Sequence, residues 1–250
     1  MSFQDHFSTV AATYGRYRPT YPEELFRFVA RLPASVRTVW DCGTGNGQAA
    51  VGVAQFADTV VATDASDAQI RHAQPHPRVH YEVAPAEASG LPAASVDLVM
   101  VAQAAHWFDL ARFYAEVRRV ARPGAAIALW TYHMVSISPE IDALVQWFYT
   151  DVVGAYWPPG RQLVDGGYAS LPFPFAEVNA PAFESTRPGT LDDVLGYLGT
   201  WSAVSRYRAA RGEDPVAAVR PAFEDAWGAP ETRLFRWAIP MRAGRMGETA

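Results

Sequence analysis

Lysine is absent from this sequence, and cysteine occurs once in 250 residues. The lone Cys42 excludes an intrachain disulfide, so we expect a reducing compartment and a small buried side chain rather than a reactive thiol. No apolar run is long enough to span a bilayer, and the first residues lack the basic and then apolar pattern of a signal peptide. We therefore expect a soluble, cytoplasmic protein with no membrane partner.

Positive charge is also scarce, because 21 basic residues, all of them arginine, are outnumbered by 26 acidic ones and leave a net charge of -5. A surface that neutralises nucleic-acid phosphates needs clustered cations, so nucleic acid is not an expected partner. Apolar residues make up 50% of the chain, which excludes a disordered protein. The length suffices for one large domain with a full core.

A glycine-rich loop stands out in the first half of the chain. Residues 41–47 read D-C-G-T-G-N-G, between a short apolar run that begins near Val36 and a segment rich in alanine and valine. This pattern predicts a strand, a tight turn and a helix, with Asp41 at the carboxyl end of the strand, where open α/β sheets bind ligands. Glycines permit positive φ angles and remove the Cβ atoms that would keep a ligand from the backbone.

The spacing of this loop differs from that of a dinucleotide site, which uses G-x-G-x-x-G to rest a pyrophosphate on a helix N-terminus. Here the spacing is D-x-G-x-G-x-G, which disfavours a nicotinamide oxidoreductase. A second predicted strand, Thr59–Asp64, ends in an acid about twenty residues past the glycines, where an acceptor for a ribose diol is expected. Asp64 could instead cap the helix that is predicted to begin near Ser66.

Strand and helix patterns alternate along the first half of the chain. Apolar runs predict further strands at Val79–Val83, Val96–Ala102 and 125–130, and an amphipathic helix covers Leu110–Val120 before an Arg-Pro-Gly stop. The run at Val96–Ala102 is almost continuously apolar, which is typical of a parallel strand that is buried on both faces. The alternation predicts an α/β fold with a doubly wound sheet and helices on both faces.

Five short motifs together resemble the class I S-adenosylmethionine-dependent methyltransferases, and among them the trans-aconitate methyltransferase-like branch. They are the glycine loop, Y-R-P-T-Y-P at 17–22, A-E at 86–87 before L-P at 91–92, Q-A-A-H-W-F-D at 103–109, and T-W-S-A at 200–203. The resemblance spans nearly the whole chain. It implies a Rossmann-like, mostly parallel seven-stranded sheet, S-adenosyl-L-methionine as cofactor, S-adenosyl-L-homocysteine as product, and no metal.

Four regions follow from the pattern and this resemblance. They are an N-terminal helical lid at 1–35, the cofactor-binding core at 36–135, a helical cap insertion at 136–176, and the last part of the core sheet with its helices at 177–250. Within the cap, Y-W-P-P-G-R at 156–161 reads as a turn-rich linker. Within the last region we predict strands at 178–186 and 232–241 and a helix at 191–204.

The resemblance assigns roles in cofactor binding to several residues. Asp41, Gly43 and Gly45 would hold the amino-acid end of the cofactor, Asp64 its ribose, and Ala86 with Glu87 its adenine edge. Arg18 is a candidate partner for the cofactor carboxylate. The full predicted set is Arg18, Asp41, Gly43, Gly45, Asp64, Ala65, Gln69, Ala86, Glu87 and Gln103.

His106 follows the fourth strand, where a methyl acceptor should approach, and is the predicted catalytic residue. It could act as a general base for a hydroxyl or as a hydrogen-bond donor that orients a carboxylate, or it could be a structural histidine. The predicted acceptor-binding residues are Tyr17, Trp107, His133 and Trp201.

The class of acceptor depends on its acidity. A carboxylic acid, with a pKa of about 4, is already an anion and needs a cation such as Arg16, Arg161 or Arg206. A phenol, with a pKa of about 10, must first lose a proton to a base. We expect O-methylation of a carboxylate on a small molecule by a monomer or homodimer. The alternatives are O- or N-methylation of an aromatic or heteroaromatic metabolite, and a non-catalytic S-adenosylmethionine-binding protein.

Overall fold

The computed structural model of the protein describes residues 16–247. Residues 1–15 of the predicted lid lie outside the described residues. The strands are β1 (Thr38–Cys42), β2 (Thr59–Asp64), β3 (Val79–Val83), β4 (Val96–Ala102), β5 (Ala121–Trp130), β6 (Ala176–Val178), β7 (Phe183–Gly189), β8 (Arg233–Ile239) and β9 (Met241–Arg245). The longer helices are α1 (Glu23–Val29), α2 (Gln48–Val53), α3 (Asp67–Arg71), α4 (Leu110–Val120), α5 (Pro139–Trp147), α6 (Arg161–Asp165), α7 (Leu191–Gly199), α8 (Ser202–Arg211) and α9 (Pro215–Trp227).

Seven strands form the main sheet, in the order β3-β2-β1-β4-β5-β9-β6. Neighbouring strands from β3 to β5 are parallel, whereas β9 runs antiparallel to both β5 and β6. This arrangement confirms the predicted doubly wound, mostly parallel α/β fold. The strand order reverses between β1 and β4, so the carboxyl ends of these two strands border the crevice in which such sheets bind ligands.

The two faces of the sheet explain the apolar runs of the sequence. Along β4, Leu98 and Met100 pack into one core cluster, while Val99 and Val101 pack into the cluster on the opposite face. All four side chains are fully buried, because helices cover both sides of the sheet. Predicted bounds for β2, β3, β4 and α4 match the observed ones, whereas β5 begins at Ala121 rather than at 125, so the Arg-Pro-Gly sequence after α4 lies within the strand.

The last third of the chain differs from the prediction. The single strand predicted at 178–186 is two strands, of which β6 joins the main sheet and β7 pairs with β8 in a separate two-stranded sheet. The strand predicted at 232–241 is mostly β8, and the main sheet is closed by β9. Pro240 lies between β8 and β9 and has no amide hydrogen to continue a ladder. The helix predicted at 191–204 is interrupted at Thr200 and Trp201.

Two insertions extend beyond the carboxyl ends of the main strands. The first, with α5 and α6, lies between β5 and β6 in sequence; the second, with β7, α7, α8, α9 and β8, lies between β6 and β9. The chain leaving β5 runs beside β8, since the amide of His133 donates to the carbonyl of Ala238 at 2.9 Å and that of Ser136 to Arg236 at 2.9 Å. No helix within residues 16–247 has the length and apolar character that crossing a membrane requires.

Candidate active site

The glycine loop joins β1 to α2 through three left-handed residues. Gly43, Gly45 and Gly47 have φ angles of 70°, 56° and 83°. A Cβ on Gly43 would lie 2.5 Å from the Cβ of Ala104, and one on Gly47 would lie 2.1 Å from the Tyr81 hydroxyl. These two glycines are therefore required by the packing of the protein itself as well as by the turn.

Gly45 differs from its two neighbours because open space lies in front of it. A Cβ there would have no neighbour among the described residues closer than Oε1 of Gln69, at 4.0 Å. Its amide donates to Oδ2 of Asp64 at 2.9 Å, which ties the loop to the end of β2. Among the three glycines, Gly45 thus leaves room for a ligand against the backbone of the loop. Two other predicted cofactor contacts, Asp64 and Gln69, lie beside it.

Asp41 is fully buried at the end of β1. Its Oδ2 accepts a hydrogen bond from the Thr44 hydroxyl at 2.6 Å, whereas Oδ1 has no hydrogen-bond partner among residues 16–247. Burial raises the pKa of this carboxyl to about 7, and the nearby charge of Asp64 adds to the effect. A buried carboxylate oxygen without a partner is costly, and an ammonium group of a ligand would supply the missing donor and counter-charge.

Asp64 holds two loops at the end of β2. Its Oδ2 accepts from the amide of Gly45 and its Oδ1 from the amide of Ser66, each at 2.9 Å. The alternative that Asp64 caps the next helix is wrong, because the side chain of Ser66 caps α3 by accepting from the amide of Gln69 at 3.3 Å. Each carboxylate oxygen can accept more than one hydrogen bond, so a ribose diol remains compatible with both contacts.

The predicted adenine residues lie in the loop after β3. Ala86 is buried, and Oε1 of Glu87 accepts a hydrogen bond from the amide of Asp109 at 2.9 Å. Asp109 in turn caps α4, since its side chain accepts from the amide of Arg112. Glu87 therefore connects this loop to the segment that carries His106. Ala65, at the end of β2, is exposed.

Gln103 adopts a left-handed backbone conformation, with a φ of 59°, directly after β4. Its side-chain Oε1 accepts a hydrogen bond from the Thr131 hydroxyl at 2.7 Å. Its backbone amide donates to the carbonyl of Trp130 at 2.9 Å. Left-handed residues other than glycine are uncommon and concentrate at functional sites. The conformation turns the chain out of the sheet and into the short helix Ala105–Trp107.

A cleft beside this turn brings together four of the predicted site residues, which are Arg18, Gln103, His106 and Trp107. Its other side chains include Tyr132, Trp157, Arg161 and Tyr197. Trp157 and Arg161 come from the first insertion and Tyr197 from the second. The cleft is therefore closed by segments that are far apart in sequence.

Three predicted acceptor-binding residues lie elsewhere. Tyr17 packs on α7, where a Cβ on Gly196 would meet its ring at 2.5 Å. His133 lines a neighbouring cleft together with Asp165 and Arg242. Trp201 is only 2% exposed, and four aromatic rings lie against its indole. These neighbours are Phe148, Tyr149, Trp157 and Tyr197, with centroid distances of 5.4 to 5.8 Å.

The His106 ring is half-buried and lines the cleft. Its Nδ1 lies 2.9 Å from the hydroxyl oxygen of Tyr168, and its ring contacts that of Trp107 with a centroid distance of 4.7 Å. Burial lowers the pKa of His106 to about 3, and the positive charge of Arg161 acts in the same direction. The imidazole is therefore neutral at physiological pH, and its Nε2 has no hydrogen-bond partner within the described part of the chain.

Arg161 presents its guanidinium group to the same cleft. Its Nε donates to Oδ1 of Asp165 at 3.0 Å and to the hydroxyl of Tyr149 at 3.1 Å, and the group stacks over Trp157 at 4.3 Å from the ring centroid. The two terminal nitrogens make no hydrogen bond to any residue in the range 16–247. One edge of the guanidinium is thus held in place while the other keeps its donors available.

Arg18 is held more completely. Its Nη1 donates to the Tyr132 hydroxyl at 2.6 Å and its Nη2 to the carbonyl of Thr200 at 2.9 Å. Its guanidinium also lies over the ring of Tyr197, 5.4 Å from the centroid. These contacts join the N-terminal segment to both the end of β5 and the second insertion. Pairing of Arg18 with a cofactor carboxylate stays a prediction.

Sequence reasoning did not select the cleft residues Trp157 and Tyr197 or the supporting Tyr168, and it named Arg161 only as one of three possible cations for a carboxylate. Trp157 and Arg161 fall in the segment predicted as a turn-rich linker, and Tyr168 follows two consecutive glycines. The available signal was composition, because the six-residue stretch 156–161 holds two aromatic side chains and an arginine.

Comparison with known proteins agrees with this geometry. The family model described as "Methyltransferase domain" matches residues 40–129, from β1 to β5. A proposed methyltransferase of Dictyostelium discoideum is 31% identical over 222 residues, which are 87% of this chain and 84% of that protein. An uncharacterized methyltransferase of Mycobacterium tuberculosis is 31% identical over 232 residues, or 89% of each chain.

Solved structures extend the similarity to three dimensions. A structure described as a proposed type II methyltransferase from Anaeromyxobacter dehalogenans shares 50% sequence identity and a TM-score of 0.86, and the match covers 93% of this chain and 100% of that one. A methyltransferase-like structure from Bacillus halodurans, at 20% identity and a TM-score of 0.52, shares the fold.

Proposed function

Because this chain belongs to the class I S-adenosylmethionine-dependent methyltransferases, we propose that it methylates a carboxylate oxygen of a small organic acid. The cofactor, when bound, supplies an electrophilic methyl group on a sulfonium. The protein's own residues then have to align the two reactants and exclude water. We also propose that, within this family, the chain belongs to the trans-aconitate methyltransferase-like branch.

The loop residues fit such a cofactor. The unpartnered Oδ1 of Asp41 suits an ammonium group, and the open space before Gly45 suits a ligand that lies against the backbone. Asp64 offers acceptors for a ribose diol. The other proposed cofactor contacts are those of Arg18, Ala65, Gln69, Ala86, Glu87 and Gln103.

The available donors of Arg161 are the observation that carries the carboxylate proposal. Arg161 lines a cleft with aromatic side chains, its two terminal nitrogens make no hydrogen bond to any residue in the range 16–247, and Asp165, Tyr149 and Trp157 fix the orientation of the group. A planar guanidinium edge matches the two oxygens of a carboxylate. A methyl acceptor bound in this way would present an oxygen that is already negatively charged.

His106 supports the same choice of acceptor. A carboxylate needs no deprotonation, whereas a phenol needs a base whose pKa lies near the working pH. The pKa of His106 is lowered to about 3 by burial, so this ring is a poor base at neutral pH. A neutral imidazole can still orient the acceptor by a hydrogen bond.

The second candidate is O- or N-methylation of an aromatic or heteroaromatic metabolite. The rings of Trp107 and Trp157 favour it, because these two side chains line the cleft, are not fully buried, and offer flat apolar surface to a planar acceptor. An aromatic carboxylic acid would satisfy both the rings and Arg161. Turnover of phenols or nitrogen heterocycles in preference to their carboxylic acid analogues would favour this second candidate.

The substitution Arg161→Met tests the proposed role of the guanidinium. We expect the KM for a carboxylic acid acceptor to rise by roughly 10- to 100-fold, since a charge-assisted hydrogen bond contributes about 1.5–3 kcal/mol. The Kd for the cofactor should not change. Steady-state kinetics and a cofactor titration measure the two quantities, and an unchanged KM for the acid would contradict the proposal.

Arg242 provides a matched control. Its side chain is 17% exposed against 22% for Arg161, and it also pairs with an acid, Glu177 at 2.7 Å, and stacks on an aromatic ring, Phe173 at 4.7 Å. It lies in the neighbouring cleft rather than beside His106. Arg242→Met should therefore reproduce any general loss of stability without raising the KM for the acid.

A further inference from the structure

We propose that Tyr168 is a positioning residue that holds the His106 ring with its proton on Nε2, so that His106 donates a hydrogen bond to the acceptor instead of taking a proton from it. This inference rests on the proposed function, because it concerns the cleft in which the acceptor would bind. It assigns Tyr168 a role in choosing the acceptor.

The geometry of Tyr168 is unusual for a core residue. Its side chain is fully buried, and its backbone has a φ of 63° immediately after Gly167, at 62°. The amide of Tyr168 donates to the carbonyl of Leu163 at 2.9 Å, which turns the chain back at the end of α6. A bulky residue in the left-handed region is strained, and such strain is retained where the surrounding structure fixes the side chain.

The direction of the hydrogen bond sets the tautomer of His106. The 2.9 Å contact joins the Tyr168 hydroxyl to Nδ1, and a phenol is a stronger proton donor than a neutral imidazole N–H, while an imidazole nitrogen is the stronger acceptor. The hydroxyl therefore donates and Nδ1 accepts. Since a neutral imidazole carries one proton, that proton lies on Nε2.

The charged groups around His106 keep the ring in this neutral form. The guanidinium of Arg161 lies in the same cleft and disfavours a second positive charge on the ring. Asp165, an acid of the same insertion, is bound to Arg161 at 3.0 Å. No acid among residues 16–247 makes a hydrogen bond to the His106 ring.

The consequence is a cleft whose key polar groups are donors. Nε2–H of His106 and the terminal nitrogens of Arg161 all donate hydrogen bonds. They match a substrate group that can only accept hydrogen bonds, such as a carboxylate. A phenol would have to turn its own O–H away from these donors, and an amine N–H would leave donors opposed to donors. Polar groups left unpaired in a site reject such a ligand strongly.

Nitrogen NMR of histidine-labelled protein tests the tautomer directly. The chain has six histidines, and His106→Gln identifies the signals of His106 by their loss. In the wild-type protein, without any acceptor, we expect a protonated Nε2 and an unprotonated Nδ1. A ring protonated on Nδ1 would overturn the proposal, whether or not Tyr168 variants fold.

Tyr168→Phe then tests the positioning role, because it removes the hydroxyl and keeps the ring. The Nε2–H form should give way to a mixture of tautomers, and kcat/KM for an acid acceptor should fall about tenfold, as for the loss of one hydrogen bond. The ratio of kcat/KM for the acid to kcat/KM for its phenol analogue should therefore become smaller. An unchanged tautomer together with unchanged discrimination would overturn the role of Tyr168.

Tyr114→Phe is the matched control. Tyr114 is buried in the same core cluster, and its hydroxyl donates to the carbonyl of Pro172 at 2.7 Å, away from His106. This variant should leave the His106 signals and the discrimination unchanged. If no acid is methylated at all, the proposed function fails while the NMR result still decides the tautomer, so the two failures are distinguishable.

Discussion

Asp41 shows at the scale of one residue how a binding site costs stability. Burial raises the pKa of its carboxyl from 3.8 to about 7, so between these values the folded protein holds a proton that the unfolded chain has released. Stability from this group is therefore present at low pH and is lost as the pH rises toward 7. Above pH 7 the ionised carboxylate destabilises the folded state by roughly 4 kcal/mol.

We predict that Asp41→Asn stabilises the cofactor-free protein at pH 8. The neutral amide avoids the buried charge but leaves an N–H unpaired, so the gain should be about 2 kcal/mol. Near pH 5, where Asp41 is itself largely protonated, the gain should disappear. Urea unfolding at the two pH values measures both quantities. A variant that is no more stable than the wild type at pH 8 would contradict the raised pKa.

The element that the sequence predicted best is the glycine loop between β1 and α2, and its glycines can be separated by experiment. Gly45→Ala should fold, because its nearest neighbour is 4.0 Å away, with a backbone cost of about 1–2 kcal/mol. Its cofactor affinity should fall at least tenfold, since the new methyl group enters the space proposed for the ligand.

Gly47→Ala should give the opposite pattern. Its Cβ would lie 2.1 Å from the Tyr81 hydroxyl, and that hydroxyl is held by the carbonyl of Gln74 at 2.6 Å, so the ring cannot yield freely. We expect a loss of about 2–3 kcal/mol in unfolding free energy. Thermal unfolding and cofactor titration of the two variants test this difference; equal cofactor affinity of Gly45→Ala and the wild type would place the ligand elsewhere.

Regular elements were predictable where local signals agreed. The bounds of β4 follow from a continuous apolar run between turns, and those of α4 from its amphipathic pattern before Arg-Pro-Gly. The split of 178–186 into β6 and β7 was not predicted, although Pro181 between them is a local break signal. Which sheet each strand joins depends on pairing with β8 and β9, more than forty residues further along the chain.

At the scale of the whole molecule, the proposed acceptor cleft is a product of tertiary structure. The sequence placed Arg18, Gln103, His106 and Trp107 near one edge of the sheet, and the structure brings them together. It gave no periodic signal for Trp157 or Arg161, because they lie in an irregular insertion whose place beside the cleft is set by tertiary packing.

Trp201 joins those two insertions. Its indole is buried between Phe148, Tyr149 and Trp157 of the first insertion and Tyr197 of the second. Trp157 and Tyr197 line the cleft, so Trp201 supports two of its walls from behind. Arg161 lines this cleft in a protein of net negative charge, and the aromatic rings around its guanidinium lower the local dielectric and so strengthen a hydrogen bond to a bound anion.

The most direct test of the central claim is methyl transfer from labelled S-adenosylmethionine to matched pairs of carboxylic acids and phenols, followed by mild alkali. We predict labelled product from an acid, release of the label as volatile methanol because the product is a methyl ester, and little product from the phenol of the same shape. Label that is incorporated but retained after alkali would mean an ether or an N-methyl product, and would contradict carboxylate methylation.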